Sequence, residues 1–453
     1  MPAGKVYLLG ICGTFMAGLA GIARELGYSV HGCDKAAWPP MSEQLASHNI
    51  GLDQPCSALS LDGYDVYIVG NAMCRGDDAV ETLLTQRIPI HSGPQWLFEQ
   101  VLQYRRVLCI AGTHGKTTTA SMLAWILEFA GMQPGFLIGG VPINFGVSAR
   151  LGQSDLFVIE GDEYDTAFFD KRSKFIHYRP QVLVLNNLEF DHADIFKDLD
   201  AIKTQFHHLL KTLMANAVVL VRAGETALQD VLEQGLWSQC EYFDLGDKNA
   251  DWQARKRDDG FEGFEILHKG RQQGCCRWKL SGDHNIADAI GAIAAAAHVG
   301  VPTQTALQAL ESFEGVRRRL EVCGTYQGVT VYDDFAHHPT EIKASIEALR
   351  CQNVPRVLVA FDPRSNTMKA GKHNHILGDA FNEADHLFFY SAPDLDWSVG
   401  PVLGKAKTQY SYYGDVAQLK HAIIEELREG DHLLIMSNGD FCGLKDQLID
   451  SLQ

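Results

Sequence analysis

The chain has 453 residues, 46% hydrophobic and 21% charged, with a formal net charge of −17. That length supports roughly two to four domains with ample core. The acidic balance excludes nucleic acid as partner, which needs a basic face, but leaves room for anionic small ligands in a local positive pocket.

The 11 cysteines are scattered without a Cys-x-x-Cys pair and read as reduced thiols. Met-Pro-Ala-Gly-Lys runs straight into an apolar strand, and the longest apolar stretch, around Ala289 to Val301, is too short for a bilayer. The expectation is a cytoplasmic protein with no membrane insertion.

In chain order, Val6 to Leu9 predicts a buried strand, Gly10-Ile11-Cys12-Gly13 a turn, and Met16 to Leu26 a helix closed by Gly27. Tyr28 to Gly32, ending at Asp34, and Tyr64 to Val69 predict further strands. Strands alternating with helices imply a parallel, doubly wound sheet. The first turn half-matches G-x-G-x-x-G: Cys12 and Phe15 stand where the second and third glycines belong, which argues against a dinucleotide. Asp34 suits a polar ligand contact or a cap.

Val107 to Ala111 predicts a strand that leads into Gly112-Thr113-His114-Gly115-Lys116-Thr117-Thr118 and then an apolar-periodic helix, Ala120 to Phe129. Glycines that let backbone N–H groups close on phosphate, a lysine charge, a threonine hydroxyl for Mg²⁺ and a helix N-terminus make this a phosphate loop. Its spacing is G-x-x-G-K-T, with Ile110 where the longer form has glycine. Strand Leu156 to Ile159 precedes Glu160-Gly161-Asp162-Glu163-Tyr164-Asp165, and strand Val182 to Leu185 leads towards Asp191-His192. Acidic strand ends beside a phosphate loop suit metal-assisted phosphoryl transfer, for which hard oxygen ligands are needed. His192 is either a metal neighbour or a structural hydrogen-bonder. The stretch from Gln239 to Lys279 predicts small antiparallel strands, and Asp283-His284-Asn285 opens an Ala-rich helix as a cap or as an adenine contact.

The last block predicts strands Thr330 to Tyr332, Arg356 to Phe361, His386 to Tyr390 and His432 to Met436. Arg317-Arg318-Arg319 before it is a solvated run or a phosphate clamp. Asp333-Asp334 and His337-His338 end the first of these strands. Arg364, after the second, suits a bidentate carboxylate contact or a polar turn.

Taken together, Gly112 to Thr118, Asp162-Glu163, Asp191-His192, Gly282-Asp283-His284-Asn285, Arg318-Arg319-Leu320-Glu321 and Asp334-Phe335-Ala336-His337-His338-Pro339-Thr340-Glu341 resemble the Mur ligase family in order and spacing. The resemblance implies an α/β protein of three domains. These are a Rossmann-like UDP-sugar domain (1–103), a central P-loop domain with a parallel sheet that binds ATP (104–315), and a Rossmann-like amino-acid- or peptide-binding domain (316–453). It implies nucleotide contacts from Gly112, Thr113, His114, Gly115, Lys116, Thr117, Thr118, Asn285, Arg319 and Asp334. Mg²⁺ would be held by Thr117, Glu163 and His192. Lys116, Glu163, His192, His337 and His338 would serve catalysis, and the sequence does not choose between the paired histidines. Gly10, Gly13, Asp34 and Ser92 would face the UDP-sugar, and Arg364, Ser365 and Asn366 the peptide.

Gly10 to Met16, Pro39-Pro40-Met41-Ser42, Ser92 to Trp96 and Arg364 to Lys369 resemble most the branch that attaches L-alanyl-γ-D-glutamyl-meso-diaminopimelate to UDP-N-acetylmuramate during peptidoglycan recycling. A monomer or weak homo-oligomer is expected. The branch adding L-alanine is the alternative enzyme, and an ATP-gated binding protein the non-enzymatic one.

There are three departures. Several relatives carry a carbamylated lysine where this chain has Gln205-Phe206-His207-His208, so none is expected. Asp288 stands where some relatives repeat asparagine, and Asp362-Pro363-Arg364 replaces an Asp-Asn-Pro-Arg motif.

Overall fold

The computed structural model describes residues 4–35, 37, 41–54, 56, 63–256 and 262–453. Pro39 and Pro40 of the quoted motif lie outside these. Among the described residues, three sheets organise the fold. The first has five parallel strands in the order Gly51–Asp53, Ser29–Cys33, Lys5–Leu9, Val66–Val69 and Ile90–Ser92. The helix after the first turn spans Thr14–Glu25, two residues earlier than the apolar period suggested, because the turn closes at Gly13, the N-cap.

The second sheet has ten strands. Its centre is parallel and nearly all apolar: Val182–Leu185 and Leu156–Gly161 flank Arg106–Ala111, the strand that feeds the phosphate loop. Parallel strands covered on both faces read as continuous apolar runs, which is why Val107 to Ala111 was visible in the sequence. Antiparallel strands Gly263–His268 and Arg271–Arg277 extend one edge, as expected for Gln239 to Lys279; Gln239–Leu245 and Trp252–Lys256 from the same stretch instead continue the parallel order, which corrects that expectation.

The third sheet has six strands, with Val329–Asp334 paired to Asp431–Met436 and that strand to Arg356–Phe361. Arg356–Phe361 sends Val357, Val359 and Phe361 into one buried cluster and Leu358 and Ala360 into another. Each such large apolar side chain contributes about 1.5–3 kcal/mol relative to exposure.

By packing, the chain forms two compact units. One comprises Met1–Glu189, Asp200–Trp278 and Ala287–Glu314; the other comprises Phe190–Leu199, Lys279–Ile286 and Gly315–Gln453. Asp191-His192 and the Asp283–Asn285 turn therefore belong to the second unit although they lie within the sequence of the middle block.

The expectation of reduced thiols throughout is corrected at one place: Cys33 and Cys56 are joined as a disulfide, their Cα atoms 5.2 Å apart. The carboxyl end of strand Ser29–Cys33 brings Cys33 to the segment beyond Gly51–Asp53, a proximity that spacing alone does not show. Among the described residues, no helix is long and apolar enough to cross a membrane.

Candidate active site

In the first unit, the helix after the phosphate loop spans Lys116–Phe129, so Lys116 is its first residue and Gly115 its left-handed N-cap. At Gly115 (φ +78°) a Cβ would collide with Asp288 Oδ1 and meet Asn186 Nδ2 at 3.0 Å. At Gly112 (φ +139°) it would meet the Asn187 carbonyl at 3.0 Å. Both positions need glycine for backbone angle and for space.

The loop is laced to the segment Asn186–Glu189. The Thr113 N–H donates to the Asn187 carbonyl at 3.2 Å and the His114 N–H to Asn187 Oδ1 at 2.7 Å. Asn187 Nδ2 returns a bond to the His114 carbonyl at 3.2 Å, and Glu189 N–H donates to Thr113 Oγ1 at 2.8 Å. His114 Nε2 stands 3.0 Å from Glu189 Oε2. No motif marks Asn186–Glu189 as a functional segment in the sequence. Its signal, two asparagines at a strand's carboxyl end, is visible only once that strand lies beside the loop's own.

Lys116 Nζ donates to Glu163 Oε2 at 2.9 Å. Burial alone would lower the ammonium's pKa; the charges of Glu163 and Asp162 outweigh it and hold the group above the ordinary lysine value. Glu160 accepts from the Gly139 N–H at 2.8 Å and from the Thr117 hydroxyl, and burial pushes its carboxyl up. Thr117, Glu160, Asp162 and Glu163 thus gather hard oxygen donors at the loop, the donor chemistry that fits Mg²⁺.

A cavity of about 460 Å³ opens in the same unit. Its walls include Gly10, Gly13 and Asp34, from turns that follow strands of the first sheet, Glu160 and Asp162 from the end of Leu156–Gly161, and Lys174. The Cys12 N–H donates to Asp34 Oδ2 at 2.7 Å, fixing the first turn. Ser92 is fully buried, caps the helix Gly93–Gln100 through Gln95 N–H, and donates to Asp170 Oδ2 at 3.4 Å; its neighbours Gly93 and Pro94 line the cavity. Lys174, which the sequence reading passed over, is buried in the wall.

In the second unit, His192 takes a left-handed backbone (φ +56°), and its N–H donates to Asp191 Oδ1 at 2.7 Å. Asp191 Oδ2 stands 3.7 Å from His337 Nε2. Burial would raise the Asp191 carboxyl; the nearby His337 ring and the charges of His192 and His337 win and hold it well below the usual carboxylate range.

The paired histidines differ. His338 is buried, caps the helix Pro339–Arg350 by accepting from Thr340 N–H at Nδ1 (3.2 Å), and packs edge-on against His373. His337 is half-buried, its Nδ1 3.5 Å from Glu341 Oε2.

The arginines also differ. Arg318 donates to the carbonyls of Ser437 (2.7 Å) and Gly439 (2.5 Å), a structural assignment. Arg319 Nη1 stands 3.7 Å from Glu341 Oε1, with its guanidinium over Phe335. Asp334 is buried, accepting from Ser345 Oγ at 2.7 Å and Ala336 N–H at 2.9 Å; burial pushes its carboxyl up to about 6, against those bonds.

Asn285 Nδ2 donates to the Ser281 carbonyl at 2.6 Å, closing its own turn. Arg364 is exposed and donates to Asp440 Oδ1 at 3.2 Å. Ser365 caps the short helix Asn366–Lys369, and Asn366 Nδ2 donates to Asp194 Oδ2 at 3.0 Å.

The glycine-walled loop with its acidic strand end defines a phosphate-loop α/β protein. Residues 5–105 match the Mur ligase family, catalytic domain; 110–296 the Mur ligase middle domain; and 318–439 the Mur ligase, glutamate ligase domain. The chain belongs to the Mur ligase family. It is 48% identical, over 99% of its length and 98% of the relative's, to a UDP-N-acetylmuramate–L-alanyl-γ-D-glutamyl-meso-2,6-diaminoheptanedioate ligase of Escherichia coli K12. A murein peptide ligase structure from Psychrobacter arcticus is 40% identical with a TM-score of 0.79, covering 99% of both chains. A UDP-N-acetylmuramate–L-alanine ligase of Caldanaerobacter subterraneus is 28% identical, over 98% of this chain and 97% of that one.

Proposed function

We propose that this chain is an ATP-dependent ligase that joins L-alanyl-γ-D-glutamyl-meso-diaminopimelate to UDP-N-acetylmuramate in peptidoglycan recycling, releasing ADP and phosphate. The observation that carries this reading is the full-length 48% identity to a relative named for that reaction, against 28% to one named for L-alanine addition.

In this reading residues 1–103 bind the UDP-sugar, 104–315 bind ATP and 316–453 bind the peptide. The sugar's lactyl carboxylate, already anionic, attacks the γ-phosphorus of ATP. Lys116 and Arg319 balance charge developing on the transferred phosphoryl group. The Gly112–Thr118 loop cradles the phosphates, Asn285 contacts the adenine and Asp334 the ribose. Thr117, Glu163 and His192 would hold Mg²⁺, which supplies further charge neutralisation when bound.

The acyl phosphate that forms is prone to hydrolysis, so water must be kept out while the peptide amine attacks its carbonyl carbon. The amine then loses a proton. His337 is assigned as the acceptor, since Nδ1 of His338 serves its helix cap while His337 sits between the carboxylates of Asp191 and Glu341. Gly10, Gly13 and Asp34 serve the UDP moiety, with Ser92 supporting the wall from behind. Arg364, Ser365 and Asn366 serve the peptide's carboxylates.

The test is mass spectrometry of products after mixing the protein with ATP, Mg²⁺, UDP-N-acetylmuramate and a panel of amines. Tripeptide conjugate with stoichiometric ADP is expected. Conjugation of free L-alanine in preference, or ADP release independent of any amine, would overturn the reading.

A further inference from the structure

Lys174 begins the short helical turn Lys174–His177, and its backbone N–H is fixed by the Tyr164 carbonyl at 2.9 Å. Its side chain is 10% exposed and reaches the cavity wall. There Nζ donates to Asp162 Oδ2 at 2.7 Å and lies over the rings of Phe15 and Tyr164, 5.4 and 5.5 Å from their centroids. Among the described residues that line this cavity, Lys174 is the only lysine or arginine, whereas Asp34, Glu160 and Asp162 are all acidic.

A cavity so walled repels anions except at one point, and a buried ammonium is costly to keep unless it is paired. Its position along the wall is also set. Asp162 precedes Glu163, the partner of Lys116, and its charge acts on Lys116 as well. Lys174 is thus joined through Asp162 to the residue next to the Lys116–Glu163 pair, and it also lies over Phe15, just after the Gly10–Gly13 turn.

Resting on the ligase reading above, we infer that Lys174 is the residue that receives the sugar-borne carboxylate, Asp162 holding the ammonium in place until that carboxylate arrives. The two flanking rings fix the stem of the lysine and favour the cation, so that the charge is aimed rather than loose. The acid is thereby held beside Asp162, the residue before Glu163, whose partner Lys116 belongs to the loop that takes the γ-phosphoryl group.

The test compares Lys174→Met, Lys174→Gln and Lys174→Arg with wild type, using UDP-N-acetylmuramate as substrate and UDP-N-acetylglucosamine, which lacks the lactyl acid, as competitive probe. Lys174→Met and Lys174→Gln are expected to raise KM for UDP-N-acetylmuramate at least tenfold. They should leave KM for ATP and the inhibition constant of the probe within about twofold, and Lys174→Arg should recover most of the loss. If probe and substrate weaken equally, the contact is not to the carboxylate and the inference fails. If neither changes, the pair with Asp162 is structural only, and the inference fails again. A wild-type protein that does not use UDP-N-acetylmuramate at all would instead remove the ligase reading on which the assignment rests.

Discussion

Lys116 Nζ and Glu163 Oε2 are bonded at 2.9 Å with Glu163 only 1% exposed, so the phosphate-loop lysine and the acidic strand end are each other's counter-ion in the free protein. Nucleotide phosphates arriving at the loop must compete with that carboxylate for the same ammonium.

This pairing separates activity from stability. Lys116→Met should cut ADP formation by about 10²–10³-fold and, by stranding a buried carboxylate, cost about 3 kcal/mol in folding free energy. Adding Glu163→Gln should recover most of the stability and none of the activity. Urea unfolding and an ADP-release assay on the two singles and the double check this; a double variant as unstable as Lys116→Met would show the pair is not the source.

Gly115→Ala should be far worse than an ordinary surface change. The left-handed backbone costs about 1–2 kcal/mol for a residue with a Cβ, and the added carbon strikes Asp288 and presses on Asn186. The expected result is a lowered Tm together with a raised KM for ATP, measured side by side with Gly131→Ala, where nothing lies within 4 Å of the added carbon and the backbone strain is similar. Equal ATP effects from the two would disprove the local explanation.

The buried Asp334 makes a pH prediction with a defined sign. Its folded pKa of about 6 lies above the ordinary aspartate value of 3.8, so the native state binds the extra proton. The stabilising difference is present below pH 3.8 and is lost as pH rises through about 6. Asp334→Asn should remove that slope and be more stable than wild type at pH 7.5 by roughly 1–3 kcal/mol, while losing nucleotide-dependent activity. Chemical denaturation of both proteins at pH 4.5, 6 and 7.5 isolates the contribution as wild type minus variant; a difference that does not fall as pH rises across that window would refute it.

His337 and His338 should part company on mutation. His338→Ala removes a helix cap, costing about 1 kcal/mol and shifting Tm. His337→Ala takes a partner from the buried Asp191 and should also lower Tm, but it alone should lower amide formation by about 10²-fold and spare acyl-phosphate formation, followed by trapping that intermediate with hydroxylamine. Reversed behaviour would exchange the two roles.

Much of this was legible in the chain itself, for reasons that differ by element. Central strands such as Val182–Leu185 are covered on both faces, so their apolar runs stand out. The phosphate loop is local, its chemistry carried by residues contiguous from Gly112 to Thr118. What escaped depends on distance in sequence. Asn187 braces a loop more than seventy residues earlier, and Lys174 looks like any charged residue in Asp170-Lys171-Arg172-Ser173-Lys174 until the fold turns it inward against Asp162. Ser92 shows the opposite case: its motif was visible, but its hydroxyl is used for a helix cap.

The lacing of Thr113 and His114 to Asn187 and Glu189 has an entropic consequence. Because those contacts lie within the protein, the fold itself and not a guest fixes the backbone of the anion hollow. Ordering a floppy glycine loop would otherwise tax each binding event; here that cost falls on folding, once per molecule instead of once per turnover.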